Sequence, residues 1–376
     1  MRIAILAETD RTEARVAATP ETVKKFLSLG ANTTIQTGAG IKSGFTDAAY
    51  QAQGGQIVDS AAAALAHADV ALCVRRPNAS TLAGAKENLA VISMMDPFGN
   101  ETAIGELAKI NVSAFAMELM PRITRAQTMD VLSSQANLAG YRAVIEAAAE
   151  YGRSFPMMMT AAGTVPAAKV FIMGVGVAGL QAIATARRLG AIVTATDVRP
   201  ATKEQVESLG AKFIAVENDE FKQAETSGGY AKEMSLDYQK AQADLIASHI
   251  SKQDIVITTA LIPGRPAPKL VTEEMVQSMR NGSVIVDLAA ERGGNCALTQ
   301  ADEIITVNDV KIIGAANLTC RMASTASSLY AKNLFAFLET MISKETKTFS
   351  INWDDELVKA TALTREGVVL DQRFIK

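Results

Sequence analysis

One stretch, residues 169–197, restricts the fold of this chain more than any other. It reads KVFIMGVGVAGLQAIATARRLGAIVTATD. An apolar run leads into glycines at 174, 176 and 179, and a helical pattern then leads to a second apolar run that ends in an aspartate. A strand, a glycine-rich turn, a helix and a further strand form a βαβ unit. The stretch therefore predicts a parallel sheet covered by helices.

Each glycine of this turn meets a physical requirement of dinucleotide binding. Gly174 permits the tight turn, Gly176 lets the backbone approach a pyrophosphate, and Gly179 allows close packing of helix on strand. The helix N-terminus favours the anion. Asp197, 18 residues after the third glycine, suits a ribose 2′-hydroxyl and repels a 2′-phosphate. We therefore predict NAD in preference to NADP, although Arg199 nearby is the residue type that an NADP pocket uses.

The βαβ rhythm extends along the whole chain and predicts an α/β fold. At 376 residues the chain is too long for one hydrophobic core, since such cores stop growing at about 250–300 residues. We predict two Rossmann-like, doubly wound parallel-sheet domains joined by long helices. The first comprises residues 1–135 plus 325–376, because the C-terminal helical pattern is expected to return to it, and the second comprises residues 136–324.

A polar insertion, residues 217–251, interrupts the second series of strands. Insertions of this length are usually functional lids or disordered segments, and the Gly228–Gly229 pair permits a hinge. We predict a mobile loop near residues 217–240. The second half, from Tyr238 to His249, is equally typical of a surface helix.

Composition excludes several classes of function. The chain carries 37 basic and 40 acidic side chains, for a net charge of -3, without a long basic run, so nucleic acid is not an expected partner. The three cysteines are far apart in sequence, which argues against a disulfide framework or a metal site.

The uncharged stretch 170–186 has 17 residues, fewer than the ~20 of a membrane span, so no direct membrane insertion is predicted. The N-terminus MRIAILAE lacks a signal-peptide pattern, which predicts a cytoplasmic protein.

The predicted cofactor leaves the reaction open, because most NAD-dependent oxidations also need a base to remove a proton. The two histidines, His67 and His249, each precede an apolar run, and neither is placed as such a base. Hydride transfer between two nicotinamide rings needs no base, only alignment and exclusion of water. The segment MPRITRAQTMDVLSSQ at 120–135, which is polar within apolar surroundings, predicts a preorganised site for that purpose, and we include its Arg125 among the cofactor-binding residues.

Several long motifs carry a resemblance to a known family. They are MELMPRITRAQTMDVLSSQANLAGYRAV, FPMMMTAAGTVPAAKV, GVGVAGLQAIATARRLGAIVTATDVR, AETSGGYAKEM, TTALIPGRPAP and LAAERGGN. Together they resemble the NAD(H)-binding domain of proton-translocating nicotinamide nucleotide transhydrogenase. The likeness covers nearly the whole chain.

The resemblance implies roles for individual residues. Arg122, Asp130 and Ser133 would orient the nicotinamide, and Gln127 would reach toward NADP(H) bound on a facing domain. The motif AETSGGYAKEM would be a loop that closes over the nucleotide, with Tyr230 at its tip. The residues that would line the NAD(H) site are Val177, Asp197, Val198, Arg199, Gly229, Gln242 and Leu261.

The resemblance also implies an assembly. The chain would be a homodimeric subunit that is active only with its partners, an NADP(H)-binding domain and membrane-spanning subunits that couple hydride transfer to proton translocation. It would lie peripherally on the inner face of the bacterial inner membrane.

Two other functions stay open. Alanine dehydrogenases share the architecture and an arginine like Arg15, but their substrate lysine and catalytic histidine would fall near Cys73 and Met95 of this chain. The transhydrogenase family is also expected to carry a lysine at Cys73. A non-catalytic NAD-sensing subunit is the third possibility. The presence of Arg122, Gln127 and Asp130, which match the Arg-Gln-Asp motif of the transhydrogenase family, argues against it.

Overall fold

The computed structural model describes residues 1–222, 234–343 and 345–375. The chain divides into two compact units. Unit 1 contains Met1–Gln135 and Thr319–Lys376, and unit 2 contains Ala136–Leu318. Each unit contains a mainly parallel, doubly wound sheet, so the predicted fold class is confirmed.

The N-terminal part of unit 1 alternates strands and helices. In chain order the elements are β1 (Arg2–Ile5), α1 (Pro20–Ser28), β2 (Asn32–Gln36), α2 (Asp47–Ala52), β3 (Gln56–Val58), α3 (Ala61–Leu65), β4 (Val70–Arg75), β5 (Ala90–Met94), α4 (Glu101–Lys109), β6 (Ser113–Ala116) and α5 (Val131–Glu150). The strands pair in parallel in the order β3-β2-β1-β4-β5-β6. The strand order reverses between β1 and β4, as in a doubly wound sheet. The boundary between the two units falls within α5.

Unit 2 repeats this architecture. Its elements are β7 (Met158–Thr160), β8 (Gly163–Val165), β9 (Lys169–Met173), α6 (Val177–Arg188), β10 (Ile192–Thr196), α7 (Thr202–Ser208), β11 (Lys212–Phe213), α8 (Asp219–Lys222), α9 (Leu236–Ile250), β12 (Ile255–Thr258), α10 (Glu273–Ser278), β13 (Val284–Asp287), β14 (Ile304–Val307) and β15 (Val310–Gly314). The main sheet has the order β11-β10-β9-β12-β13-β15-β14, and β7 and β8 form a separate hairpin.

The chain then returns to unit 1. This part contains α11 (Ala323–Glu339), α12 (Glu356–Thr361), β16 (Thr364–Arg365) and β17 (Val368–Val369). Helix α11 places Tyr330, Leu334 and Phe337 in the core of unit 1, where each is fully buried. The apolar face of this helix therefore explains why the C-terminal segment joins the first sheet.

Burial on both faces of the sheets accounts for the apolar strands. In β1, Ile3, Ala4 and Ile5 are all fully buried, and in β12 all four residues are buried. Strands of a parallel sheet are covered on both faces by crossover helices, so they carry continuous apolar runs instead of alternation. This is why such runs predict the order of the elements.

The structure also departs from the predicted elements. The segment TFSINW at 348–353 alternates polar and apolar residues, a pattern that predicts a strand, but it forms only an isolated bridge between Phe349 and Ile342. Strand β14, at the edge of the unit 2 sheet, pairs antiparallel with β15 and is an addition to the predicted parallel strands. Asn308 and Asp309, which join these two strands, both have positive φ, of 49° and 60°. Two such residues favour a tight hairpin turn, so the dipeptide was the missed signal.

The apolar stretch at 170–186 folds as β9, the glycine turn and most of α6. No helix in the described parts of the chain combines the length and apolarity that membrane crossing requires. The second half of the polar insertion is helical, as α9.

Candidate cofactor-binding site

The glycine-rich turn of unit 2 connects β9 to α6. Gly174 has φ of +100°, a conformation that side-chain-bearing residues rarely adopt. Its carbonyl accepts a hydrogen bond of 2.9 Å from the Thr259 hydroxyl, which follows the neighbouring strand β12. A Cβ on Gly174 would lie 2.7 Å from that hydroxyl oxygen. Glycine is therefore required here by both conformation and space.

Gly179 and Gly176 are constrained differently. A Cβ on Gly179 would lie 1.9 Å from the Gly174 carbonyl oxygen, so the first turn of α6 packs directly on the preceding turn. Around a Cβ on Gly176, by contrast, no atom of the described residues lies within 4 Å. Gly176 immediately precedes α6, whose first-turn N–H groups lack partners within the helix. The turn thus leaves bare backbone where a helix N-terminus favours an anion, and this fits a dinucleotide pyrophosphate.

Asp197 follows β10 and contacts the glycine turn. One of its carboxylate oxygens, Oδ2, accepts a hydrogen bond of 2.7 Å from the Val175 N–H. The carboxylate also forms a bidentate ion pair with Arg199, through Nε and Nη2 at 2.9 Å each. The arginine that suits an NADP pocket is therefore paired with the acid that suits NAD. This pairing leaves the predicted preference for NAD in place.

The other predicted residues lie around the carboxyl edge of the same sheet. Strands β9, β10 and β12 are neighbours, so the residues after them lie at one edge. Val177, Val198 and Leu261 are apolar yet exposed, at 39%, 63% and 53%. Gln242 accepts a hydrogen bond of 2.8 Å from the Val216 N–H. The edge combines apolar surface with a few polar groups, which is typical of cofactor sites.

Gly229 and Tyr230, and with them the predicted closing loop, lie outside the described residues. Their roles stay predictions. On the C-terminal side of this gap, Ser235 caps α9 by accepting a hydrogen bond from the Tyr238 N–H.

In unit 1, the predicted Arg-Gln-Asp segment forms a 3-10 turn at Thr124–Met129, followed by α5. Asp130 precedes α5 and accepts hydrogen bonds from the Ser133 N–H at 2.8 Å and the Ser133 hydroxyl at 2.6 Å. The two side chains are therefore held together by a helix cap. Arg122 and Gln127 are exposed. Their cofactor roles stay predictions.

Two anchors hold this turn against the rest of unit 1. Arg125 forms a bidentate ion pair with Asp355 at 2.8 and 2.6 Å, and its hydrogen bonds keep the pKa of Asp355 below the ordinary value. The Asn333 side chain donates a hydrogen bond of 2.7 Å to the Thr128 carbonyl. Arg125, predicted to bind cofactor, is therefore engaged within the protein. Neither Asp355 nor Asn333 was identified from the sequence, because both are distant from the motif in the chain.

A buried charge cluster, which the sequence did not reveal, lies at the carboxyl edge of the unit 1 sheet. Arg15 binds Glu13 through Nε and Nη2, each at 2.8 Å, and Gln135 through Nη1 at 2.9 Å. Arg75 also contacts Glu13 at 2.9 Å. Burial alone would raise the pKa of Glu13, but the hydrogen bonds and charge of Arg15 outweigh it, and the pKa falls to about 2. Arg15 is thus already neutralised within the fold.

The positions named for the alanine dehydrogenase alternative are apolar. Cys73 and Met95 are buried in the core of unit 1, and burial raises the pKa of the Cys73 thiol. His249 bonds Thr194 at 2.9 Å and packs edge-on against Phe171, and burial lowers its pKa. His67 is exposed and has φ of 62°. Both histidines have surroundings that suit structural or solvent-facing positions.

The second and third glycines of the turn, Gly176 and Gly179, yield a paired prediction. Gly179→Ala places a methyl group against the Gly174 carbonyl, so we expect a loss of at least about 2 kcal/mol in the free energy of unfolding. Gly176→Ala meets open space, so we expect stability to stay within about 1 kcal/mol while NADH affinity falls at least tenfold. Denaturant unfolding measures the stability of each variant, and NADH titration measures its affinity. Equal stability loss in the two variants would contradict this assignment.

Glu8, beside the buried cluster, predicts a pH dependence. Its carboxylate accepts backbone hydrogen bonds from Val74 and Arg75, yet burial raises its pKa from 4.5 to about 7. A raised folded-state pKa gives stability that is complete below the unfolded value and is lost as the pH rises through about 7.

We therefore expect Glu8→Gln to gain stability relative to the unmodified protein between pH 5 and 8. The gain should be about 1–2 kcal/mol, less than the full shift because the carboxyl is partly exposed. Urea unfolding at four pH values measures the difference. A difference that does not change with pH would show that Glu8 titrates normally.

Comparison with known proteins finds matches over nearly the whole chain. Residues 4–139 match the family described as "Alanine dehydrogenase/PNT, N-terminal domain", and residues 143–372 match the family described as "Alanine dehydrogenase/PNT, C-terminal domain". The chain is 53% identical to the first part of NAD(P) transhydrogenase subunit alpha of Rhodospirillum rubrum, over 98% of both chains. A solved structure of transhydrogenase from Sinorhizobium meliloti is 57% identical, with a TM-score of 0.90 and coverage of 98% of this chain and 100% of that one. Alanine dehydrogenase 1 of Staphylococcus aureus is more distant, at 30% identity over 78% of this chain and 74% of its own.

Proposed function

The chain belongs to the alanine dehydrogenase/PNT family, and on that premise we propose that it is the NAD(H)-binding subunit of a transhydrogenase. The reaction is direct hydride transfer between NAD(H) held by this chain and NADP(H) held by a partner domain. The observation that carries the proposal is the 53% identity to a transhydrogenase alpha subunit over 98% of both chains. Function by itself does not follow from the fold, which both enzymes of the family share.

The residues of unit 2 fit the binding half of this role. NAD(H), when bound, supplies the hydride chemistry. The bare backbone at Gly176 and the N-terminus of α6 suit its pyrophosphate, and Asp197 suits its adenosine ribose. The exposed side chains of Val177, Val198 and Leu261 offer apolar contact. This chain therefore needs to bind and orient the dinucleotide but not to move a proton.

The residues of unit 1 have the assigned role of ring alignment. Asp130 and Ser133 form a hydrogen-bonded pair at the start of α5, and such a fixed pair suits recognition of a carboxamide. Gln127 is exposed on a turn anchored by Arg125. An exposed amide on an anchored turn is suited to reach a second nucleotide on another protein. Alignment of this kind accelerates a transfer without acid or base catalysis.

Alanine dehydrogenation is the second candidate, and three observations disfavour it. Binding of a 2-oxo acid would need an available cationic group, but Arg15 is buried and bound to Glu13 and Gln135. Proton transfer would need a base, and the positions weighed for lysine and histidine are Cys73 and Met95. The identity to an alanine dehydrogenase is also lower than to transhydrogenase subunits. An NAD-sensing subunit without catalysis is the third candidate.

The assembly completes the proposal. We propose that the chain is a homodimer that docks on an NADP(H)-binding domain and on membrane-spanning subunits, which couple the transfer to proton translocation. It would lie in the cytoplasm, peripheral to the inner membrane of a bacterium, and would be active only in that complex. The name of the Rhodospirillum rubrum relative, which describes one portion of an alpha subunit, supports a multi-subunit enzyme.

A mixing assay tests the proposal directly. The purified chain is combined with a purified NADP(H)-binding domain of a transhydrogenase, NADPH and the acetylpyridine analogue of NAD+, and hydride transfer is followed by absorbance. We expect rapid transfer only when both proteins are present. Oxidation of NADH by this chain alone with pyruvate and ammonia would make it an alanine dehydrogenase, and NADH binding without either reaction would support the sensor.

Gln127→Asn tests the alignment role. The shorter side chain should slow hydride transfer on the order of tenfold to a hundredfold, because small misplacements of reacting groups are costly. NADH affinity of the isolated chain should stay within about twofold. Gln51→Asn, at another exposed glutamine of unit 1, is the matched control and should change neither quantity. A collapse of NADH binding in Gln127→Asn would contradict the assigned role.

A further inference from the structure

The carboxylate of Asp197 is saturated with hydrogen bonds. Oδ1 accepts from the Arg199 backbone N–H and from Arg199 Nε, both at 2.9 Å. Oδ2 accepts from the Val175 N–H at 2.7 Å and from Arg199 Nη2 at 2.9 Å. A carboxylate offers about four lone-pair sites, and these four donors use all of them. A ribose hydroxyl therefore cannot donate to Asp197 until one of these donors leaves.

The four donors differ in their freedom to move. The Val175 N–H belongs to the glycine turn, whose geometry is fixed by Gly174 and Gly179. The Arg199 N–H is a backbone group two residues beyond the acid, in a local turn around Asp197. The guanidinium is the end of a long side chain that is 31% exposed, beside a carboxylate that is only 7% exposed. The guanidinium is therefore the donor that an incoming ligand can displace.

The same guanidinium also contacts the glycine turn. Arg199 Nη2 donates a hydrogen bond of 3.1 Å to the Val175 carbonyl. Arg199 thus lies between Asp197 and the turn, where the adenosine ribose of a dinucleotide is expected beside this acid. Displacing it breaks a two-point charge-assisted contact, and this cost subtracts from the binding free energy of the ligand.

We propose that Arg199 closes the adenosine-ribose subsite and that NAD(H) binds by exchanging the Asp197–Arg199 ion pair for hydrogen bonds from the ribose hydroxyls. The inference rests on the proposed NAD(H) binding and adds a specificity residue to it. Arg199 lowers NAD(H) affinity, because part of the population always has the subsite closed. An NADP(H) 2′-phosphate gains little from Arg199, since Asp197 competes for the same guanidinium.

The test compares Arg199→Met, which keeps much of the side-chain length but cannot donate, with Arg199→Lys, which keeps the charge but not the planar fork. Dissociation constants are measured calorimetrically for NADH, ADP-ribose and reduced nicotinamide mononucleotide. Arg188→Met, at an exposed arginine in the last turn of α6, is the matched control. Thermal melting establishes that each variant is folded.

We expect Arg199→Met to bind NADH and ADP-ribose about two- to fivefold more tightly, the range of a partly exposed ion pair. Arg199→Lys should show a smaller gain in the same direction. The mononucleotide lacks the adenosine half, so its affinity should not change, and Arg188→Met should match the unmodified chain for all three ligands.

Weaker or unchanged NADH binding in both Arg199 variants would overturn the inference, as would an equal gain for the mononucleotide, which would indicate a general loosening of the turn. These outcomes are separate from the proposed function. That proposal fails if the unmodified chain does not bind NADH or supports no transfer with the partner domain, whereas the inference fails with NADH binding intact.

Discussion

The contact between the Gly174 carbonyl and Gly179 is the constraint on which the candidate site of unit 2 depends. The absence of a side chain at Gly179 lets α6 begin against the turn, and the same carbonyl accepts the Thr259 hydroxyl from beyond β12. One carbonyl therefore joins the turn to the neighbouring strand. The start of α6 and the ends of β10 and β12 are positioned together, and the site residues lie on those ends.

Asp197 contacts both the glycine turn and a charged side chain. Its bond to the Val175 N–H stabilises the turn, and its ion pair with Arg199 neutralises a carboxylate that is mostly buried. A buried charge is costly unless it is paired and hydrogen-bonded. The fold thus satisfies Asp197 internally, and any ligand at this position has to compete with that arrangement.

Charged side chains of unit 1 are likewise paired with each other within the fold. Glu13 is fully buried, and it is paired with Arg15 and Arg75. Arg125 is paired with Asp355. From the sequence alone, such arginines suit ligand binding, but in the structure these pairs occupy them. Arg122 and Gln127 of the Arg-Gln-Asp segment are exposed, which suits contact with another molecule.

Much of the fold followed from the sequence because burial on both faces of a parallel sheet produces apolar runs of fixed length. The glycine spacing, with Asp197 beyond it, likewise predicted the turn, since each glycine answers a local conformational or steric need. Where the signal was local but weak, the prediction failed. The hairpin of β14 and β15 depends on Asn308 and Asp309. In TFSINW, the alternating Phe349, Ile351 and Trp353 pack on the core of unit 1 without pairing as a strand.

The sequence by itself determined the two doubly wound sheets, the glycine turn and the family to which the chain belongs, because all three are encoded in residues close together in the chain. Only the tertiary structure decided which charges are paired. Glu13 and Arg75 are 62 positions apart in the chain, and Arg15 and Gln135 are 120 positions apart. Arg125 and Asp355 are 230 positions apart. Such pairings depend on how strands and helices pack, and no short-range pattern records them.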